Sequence, residues 1–444
     1  ILCYITSNKW MRAAYGSVMR GYFLANGYIN TLIDFGDSPI FENATTYTCI
    51  VLWNKEKNDN KPIVYDLSDV YQYDTDVKEL MKRQGRGEVL FSEDNFVIAD
   101  SEQAAIKRRI EEVGVPLHKW DIKINRGILT GLNEAFIIDS AKKDELIAAD
   151  PKSADIIKPI LRGRDIKRYR IESSDSWLIA THNGYKNDKS GVIPPINVEK
   201  DYPIVYKYLL DIGNKIEEGK IKVKGKGLFK RDDQGVHWSN LRDCAYYSEF
   251  EKNKIMYAEI VYDSAFYFDT SRVYPEATTF VITGDSIKYL TACLNSKLLT
   301  IVFRKFYAGG DLRGDTFRYK KEFLNHLPVP DISKELQLPF EIFIDYIQFL
   351  YEVDKNDLGI YFEKMIDAMV YELYFSEEIK KVKGEVLCYL NDLPVMKKGW
   401  STKKKSEIIE TVYEELSNEK HPISIAIERQ KKVKEVRIIE GLES

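Results

Sequence analysis

Around Pro330 the spacing of apolar residues changes, and that change constrains the fold of this chain more than any single motif. Between Gly114 and Pro330 the apolar residues come in short β-prone runs (AFIID, WLIAT, KIMYAEIVY, AFYFD and TTFVITG) separated by turn residues. Beyond HLPVPDI, the stretches FEIFIDYIQFLYEV, YFEKMIDAMVYELYF and KKSEIIETVYEELS place apolar residues three to four apart, the period of an amphipathic helix. The spacing therefore predicts a mostly β domain at 114–330, with a few helices including SIKYLTACLNSKLLTIVFRKFY, and a helical region at 331–444.

The first part reads differently again. Residues 1–55 resemble the end of an α/β sheet: a strand at Leu2–Ile5, a helix at about Met11–Ala25, and strands at Ile29–Phe35 and Thr46–Trp53. The last two are separated by GDSPIFENA, too short for a crossover helix, so they are expected to pair antiparallel. Residues 56–113 read as a connector with one helix, Glu102–Glu112. The chain as a whole is expected to be a multidomain α+β protein. LCYI has apolar residues on both faces and predicts a strand that needs cover.

Composition matters here for what it excludes. With 444 residues, 44% hydrophobic and 30% charged, the chain has enough apolar material for several cores and does not read as disordered. Five Cys without a CxxC pair and five scattered His suggest neither a zinc module nor a disulfide framework, and point to a reducing, cytoplasmic setting. No stretch approaches eighteen consecutive apolar residues, so no membrane span is expected. The net charge of −4 argues against a uniformly basic surface, but its distribution is uneven. Residues 114–330 carry roughly +6 and the rest of the chain after Pro330 about −6, which makes the middle the candidate anion-binding surface.

Three basic clusters lie in that middle segment. The first, IIKPILRGRDIKRYR, holds Arg162, Arg164, Lys167, Arg168 and Arg170 against a single acid, with Gly163 allowing close backbone approach. The second, GKIKVKGKGLFKR, holds Lys220, Lys222, Lys224, Lys226, Lys230 and Arg231, and its alternation suggests a hairpin with one basic face. The third interleaves Arg304, Lys305, Arg313, Arg318, Lys320 and Lys321 with Phe306, Tyr307, Phe317 and Tyr319 around a Gly-Gly corner. Each alone reads equally as a solvated face or a phosphate grip. Three in one segment favour nucleic-acid contact, with Arg also able to pair with a guanine edge. No catalytic centre or metal site is visible: Asp211, Glu218 and Lys220 imitate a nuclease spacing that arises by chance in so charged a chain.

These residues also carry a family resemblance. YITSNKWMRAAYGSVMRGYF and LIDFGDSPIFENATTYTCIVLW resemble the final part of the catalytic domain of gamma-class adenine-specific DNA methyltransferases. GILTGLNEAFIID, IIKPILRGRDIKRY, HWSNLRDCAYYSEFEKNKIMYAEI, TTFVITG, LNSKLL and FLNHLPVP, in order, resemble the TaqI-like target-recognition domain. The combination is typical of type IIG restriction-modification enzymes. The resemblance implies a remnant of a Rossmann-like methyltransferase sheet at 1–55 and a target-recognition domain at 114–330. It implies S-adenosylmethionine as cofactor of the intact protein, a divalent metal for an upstream nuclease, and double-stranded DNA as partner. In that family the cofactor loop and the Asn-Pro-Pro-Tyr motif precede the strand matching CYITSN, so the chain is expected to be a C-terminal piece, inactive alone without its N-terminal half. By position, Phe41 is implied to stack on a flipped adenine, with Asn8 beside it and Ser7 and Trp10 bordering the pocket. The plain alternative makes Phe41 a core anchor.

Two other functions compete. A modification or phage-defence methyltransferase without nuclease would share the same recognition module. A non-enzymatic interaction module would use the charged faces for protein assembly and would not require salt-dependent DNA binding.

Overall fold

The computed structural model describes residues 1–36, 38, 40–41, 46–56, 61–68, 70–72, 75–84, 87–91, 96–172, 175–187, 191–308 and 316–442. It begins with strand β1 (Leu2–Ser7) and, after two short 3-10 turns, helix α1 (Ser17–Asn26). The helix starts later than its apolar pattern suggests because the guanidinium of buried Arg20 donates to the carbonyls of Trp10 and Ala13 at 2.6 and 2.9 Å, drawing the chain into a tight turn. Strands β2 (Tyr28–Asp34) and β3 (Thr48–Asn54) pair antiparallel, and β4 (Ile63–Asp66) lies parallel to β2, giving the order β1-β3-β2-β4. β1 is an edge whose apolar side chains Tyr4 and Ile5 are exposed. Helix α2 (Ser101–Val113), capped by Asp100, buries Ala104, Ile106 and Ile110 in the largest core, shared with the C-terminal helices.

The middle segment is built on two four-stranded sheets. One contains β5 (Ile122–Arg126), β7 (Lys254–Ala258), β9 (Phe266–Asp269) and β10 (Thr279–Gly284) in the antiparallel order β9-β7-β10-β5. The other is centred on β6 (Ile157–Leu161), flanked by Trp177–Ile179 and Tyr274–Pro275. β7 is buried throughout, with Ile255 and Tyr257 in the core shared with the C-terminal helices and Met256 in a second core. Helix α3 (Pro203–Glu217) packs on that second core. A two-residue strand β8 (Ile260–Val261) follows β7 and pairs antiparallel with β11 (Phe317–Arg318).

Two differences from the pattern-based reading have physical causes. The apolar run from Ile287 is two helices, Ile287–Asn295 and Lys297–Val302, because the Ser296 hydroxyl caps the second by accepting from the Leu299 N–H. The segment at 220–231 is a loop rather than a hairpin: Gly225 and Gly227 take φ of +101° and +76°, which break the extended run. The Gly-Gly corner and Arg313 fall outside the described residues. Past Pro330 the helices Lys334–Glu352 (α4) and Asn356–Tyr374 (α5) form an antiparallel pair against the β9-β7-β10-β5 sheet and the helix at Ile287–Asn295.

Candidate nucleic-acid interface

The first basic cluster is a loop leaving β6. Asp165 accepts from the Arg162 N–H at 2.9 Å, and the Gly163 N–H donates to Thr278 Oγ1 at 3.1 Å. A side chain at 163 would put a Cβ 3.0 Å from that of Ala258 and 3.1 Å from the Thr278 carbonyl, so glycine is what lets this loop lie on the end of β7. Within it Arg164 is 75% exposed, and the Lys167 ammonium donates to the Arg164 carbonyl. Arg162 is half-buried.

Arg168 faces inward instead. It donates to Ser264 Oγ at 2.7 Å and to Asp263, and reaches Glu363 of α5 at 3.4 Å. Burial pushes the Glu363 carboxyl up, opposed by the hydroxyl of Tyr351 and by Arg168. Arg168 therefore ties the loop to the helical region, and its place among the phosphate-gripping candidates is corrected. Arg170 lies over the Tyr351 ring.

In the second cluster Lys222 and Lys224 are exposed, whereas Lys226 pairs with Asp232 at 2.5 Å. Arg231 is the clearest correction. It is 5% exposed, donates to the carbonyls of Leu228, Asp233, Trp238 and Asn240, and lies over the Phe136 ring. Burial brings its pKa down to about 10, which leaves it charged at neutral pH, but its donors serve the fold of the loop and not a ligand.

The third cluster is partly tied down as well. Lys305 approaches Asp66 of β4 at 3.8 Å, Arg304 lies over Phe317, and Lys320 approaches Glu322 at 3.5 Å. Arg318 is half-buried on β11, and its Nε makes no hydrogen bond. Through the contacts of Gly163 with Ala258 and of β8 with β11, the structure brings the first and third clusters together at the end of β7. The second sits on the other core, where Phe229 packs against Gly213 of α3.

At the N-terminal unit, Asn8 and Asp34 meet at the matching ends of β1 and β2, Nδ2 donating to Oδ1 at 2.7 Å. Burial raises the Asp34 pKa, with Asn8 opposing that shift. Phe41 is 46% exposed and so does not anchor the core, while Trp10 is buried. Searching for basic clusters missed Ile260 and Tyr262, which are exposed beside Arg318. The alternation of buried Val261 with its neighbours is the signal that could have found them.

A model of the TaqI-like C-terminal specificity domain matches residues 158–329, and one of the Eco57I restriction-modification methylase matches residues 1–41. The type II methyltransferase M.PaeR7I of Pseudomonas aeruginosa is 21% identical over 342 residues, covering 74% of this chain and 55% of its own length. M.BstVI of Geobacillus stearothermophilus is 23% identical over 349 residues, covering 74% and 57%. The restriction enzyme and methyltransferase RM.Eco57I of Escherichia coli is 26% identical over 146 residues, 32% of this chain and 14% of its own. The chain thus spans little more than half the length of the two methyltransferases. A solved structure, the type IIL restriction-modification enzyme MmeI in complex with DNA, overlaps 93% of this chain and 49% of its own at a TM-score of 0.49 and 13% identity, too loose for residue-level comparison. By its sequence matches the chain is similar to type II restriction-modification proteins, and residues 158–329 match the TaqI-like C-terminal specificity domain.

Proposed function

We propose that residues 114–330 recognise a specific sequence in duplex DNA for a protein that methylates adenine with S-adenosylmethionine. Residues 1–55 are then the end of a Rossmann-like catalytic sheet, and residues 331–444 a helical support. The observation that carries this reading is the match of residues 158–329 to a specificity domain, on which Arg164, Lys222 and Lys224 stand exposed. Cations of this kind neutralise phosphates and release counterions, which gives binding a steep salt dependence.

Among the described residues, the end of β1 does not fit an S-adenosylmethionine site. β1 leads into Asn8-Lys9-Trp10 with no glycine-rich turn, Asn8 is held by Asp34, and Trp10 is buried. Phe41, exposed at the same end of the sheet as Asn8, is the side chain available to face an extruded base. Among the described residues no group of three or more His, Cys, Asp or Glu is placed to hold a metal ion, and no helix is long and apolar enough to cross a membrane.

A nuclease joined to the methyltransferase is the fuller form of this reading, supported by the RM.Eco57I match. A methyltransferase without nuclease is the second form, and the broader coverage of this chain by M.PaeR7I and M.BstVI favours it. Titrating the chain with a random-sequence duplex across salt concentrations tests the common core of both. Affinity that falls steeply with salt is expected, and affinity indifferent to salt would return the chain to the class of interaction modules.

A further inference from the structure

We propose that the two-stranded ribbon of β8 and β11 reads base edges in the major groove of duplex DNA, with Ile260, Tyr262 and Arg318 as its reading side chains. The inference rests on the DNA-recognition reading and names the element that performs it. Ile260 stands opposite Arg318, and Val261 opposite Phe317. Val261 and Phe317 are buried, so alternation turns Ile260 and Arg318 to the other face, and exposed Tyr262 follows in the bend that ends β8. Ile260 on that face is 50% exposed, and Tyr262 beside it 74%.

Single exposed apolar residues are ordinary. Here two lie beside a half-buried arginine, Arg318, whose Nε is buried and whose remaining guanidinium nitrogens are the part left to reach a ligand. The loop carrying exposed Arg164 is packed on Ala258 and Thr278, one strand-step away. The surroundings suit a polyanion with apolar features at its centre. A two-stranded ribbon fits the major groove, where apolar side chains meet thymine methyl groups and arginine pairs with guanine. The acid next to Tyr262, Asp263, is turned to Arg168 at 3.3 Å, which offsets its repulsion of phosphate.

The ribbon is also held rigidly, as precise reading requires. Its inner face rests on a stack in which Tyr319 lies 4.3 Å from Phe303 and 4.8 Å from Phe266, ring centre to ring centre. The Tyr319 N–H donates to the Glu259 carbonyl, which extends the pairing by one residue.

The test is selection of bound duplexes from a randomised pool, followed by sequencing, with the wild-type chain, Tyr262→Ala, Ile260→Thr and the double variant Lys222→Ala/Lys224→Ala. The wild type is expected to enrich a motif. Each ribbon variant should lose preference at one or two adjacent positions and bind the wild-type motif about tenfold more weakly, while its affinity for random duplex stays within about twofold. The lysine variant should weaken binding to all duplexes and leave the motif intact. Both ribbon residues are exposed, and reading them in parallel lets one decide if the other fails to fold. A wild-type motif unchanged in both variants overturns the ribbon alone. A wild-type chain that binds duplex but enriches no motif also overturns the ribbon, and one that binds no duplex overturns the recognition reading with it.

Discussion

Arg168 and Glu363 meet at 3.4 Å across the seam between the loop at 162–170 and helix α5. The same guanidinium holds Asp263 and Ser264, so one side chain joins the loop at 162–170, the turn after β8 and the helical region. Tyr169 beside it is buried at φ +60° with its N–H donated to the Phe266 carbonyl, a left-handed turn that needs such surroundings to persist. The C-terminal helices are thus the wall against which this loop is set.

Arg168→Met should accordingly lower unfolding free energy by about 2 kcal/mol, less than for a fully buried pair because both groups keep some solvent contact. Glu363→Gln in the Arg168→Met background should cost little more, a coupling on the order of 1 kcal/mol in a double-mutant cycle by urea denaturation. Strictly additive losses would mean that the two side chains do not work as a pair.

Arg231→Met tests whether a basic residue in a basic cluster is structural. Four carbonyls would lose their donor, and buried acceptors left unpaired cost roughly 1–3 kcal/mol each before relaxation. A loss of about 3 kcal/mol or more in thermal or chemical unfolding is expected, with the salt dependence of duplex binding by the remaining folded protein unchanged. A stable variant with a flatter salt slope would make Arg231 a phosphate contact after all.

These two arginines also mark how far the sequence could be read. The antiparallel pairing of β2 with β3 was legible because the turn between them leaves no room for a crossover, and α4 and α5 were legible from their apolar period. Burial of Arg231 was not, because it depends on carbonyls at 228, 233, 238 and 240 converging on one point. The alternation in KIKVKGKG imitates a strand, but local pattern does not reveal that Gly225 and Gly227 will turn left-handed. The ribbon of β8 and β11 escaped notice for a related reason: two residues carry too little period, and their partners lie far along the chain.

Asp367 gives a pH signature. It lies among Arg168, Glu363 and Glu440 and accepts the Lys297 N–H at 2.7 Å, and burial pushes its pKa up to about 7 from an ordinary 3.8. Between those values the folded chain keeps a proton that the unfolded chain has released. Its contribution is therefore full below about pH 4 and is lost as pH rises towards 7, by at most about 1.4 kcal/mol per pH unit. Asp367→Asn should flatten that part of the stability curve relative to the wild type. Equal slopes for the two proteins between pH 4 and 7 would mean Asp367 is already ionised in the fold.

The exposed lysines of the 220–231 loop allow a count. Lys226 is engaged by Asp232, whereas Lys222 and Lys224 are exposed. If the loop tracks a phosphate backbone, each free lysine that neutralises one phosphate adds about 0.9 to the slope of log affinity against log salt on B-form DNA. Lys222→Ala/Lys224→Ala should then reduce the slope by about 2, and adding Lys226→Ala should change it by much less than a further unit, because that ammonium already has a carboxylate beside it. The measurement is duplex affinity at four or more salt concentrations for the wild type, the double and the triple variant. Three equal decrements would mean that Asp232 releases Lys226 when DNA arrives, and no decrement at all would leave the loop as solvated surface.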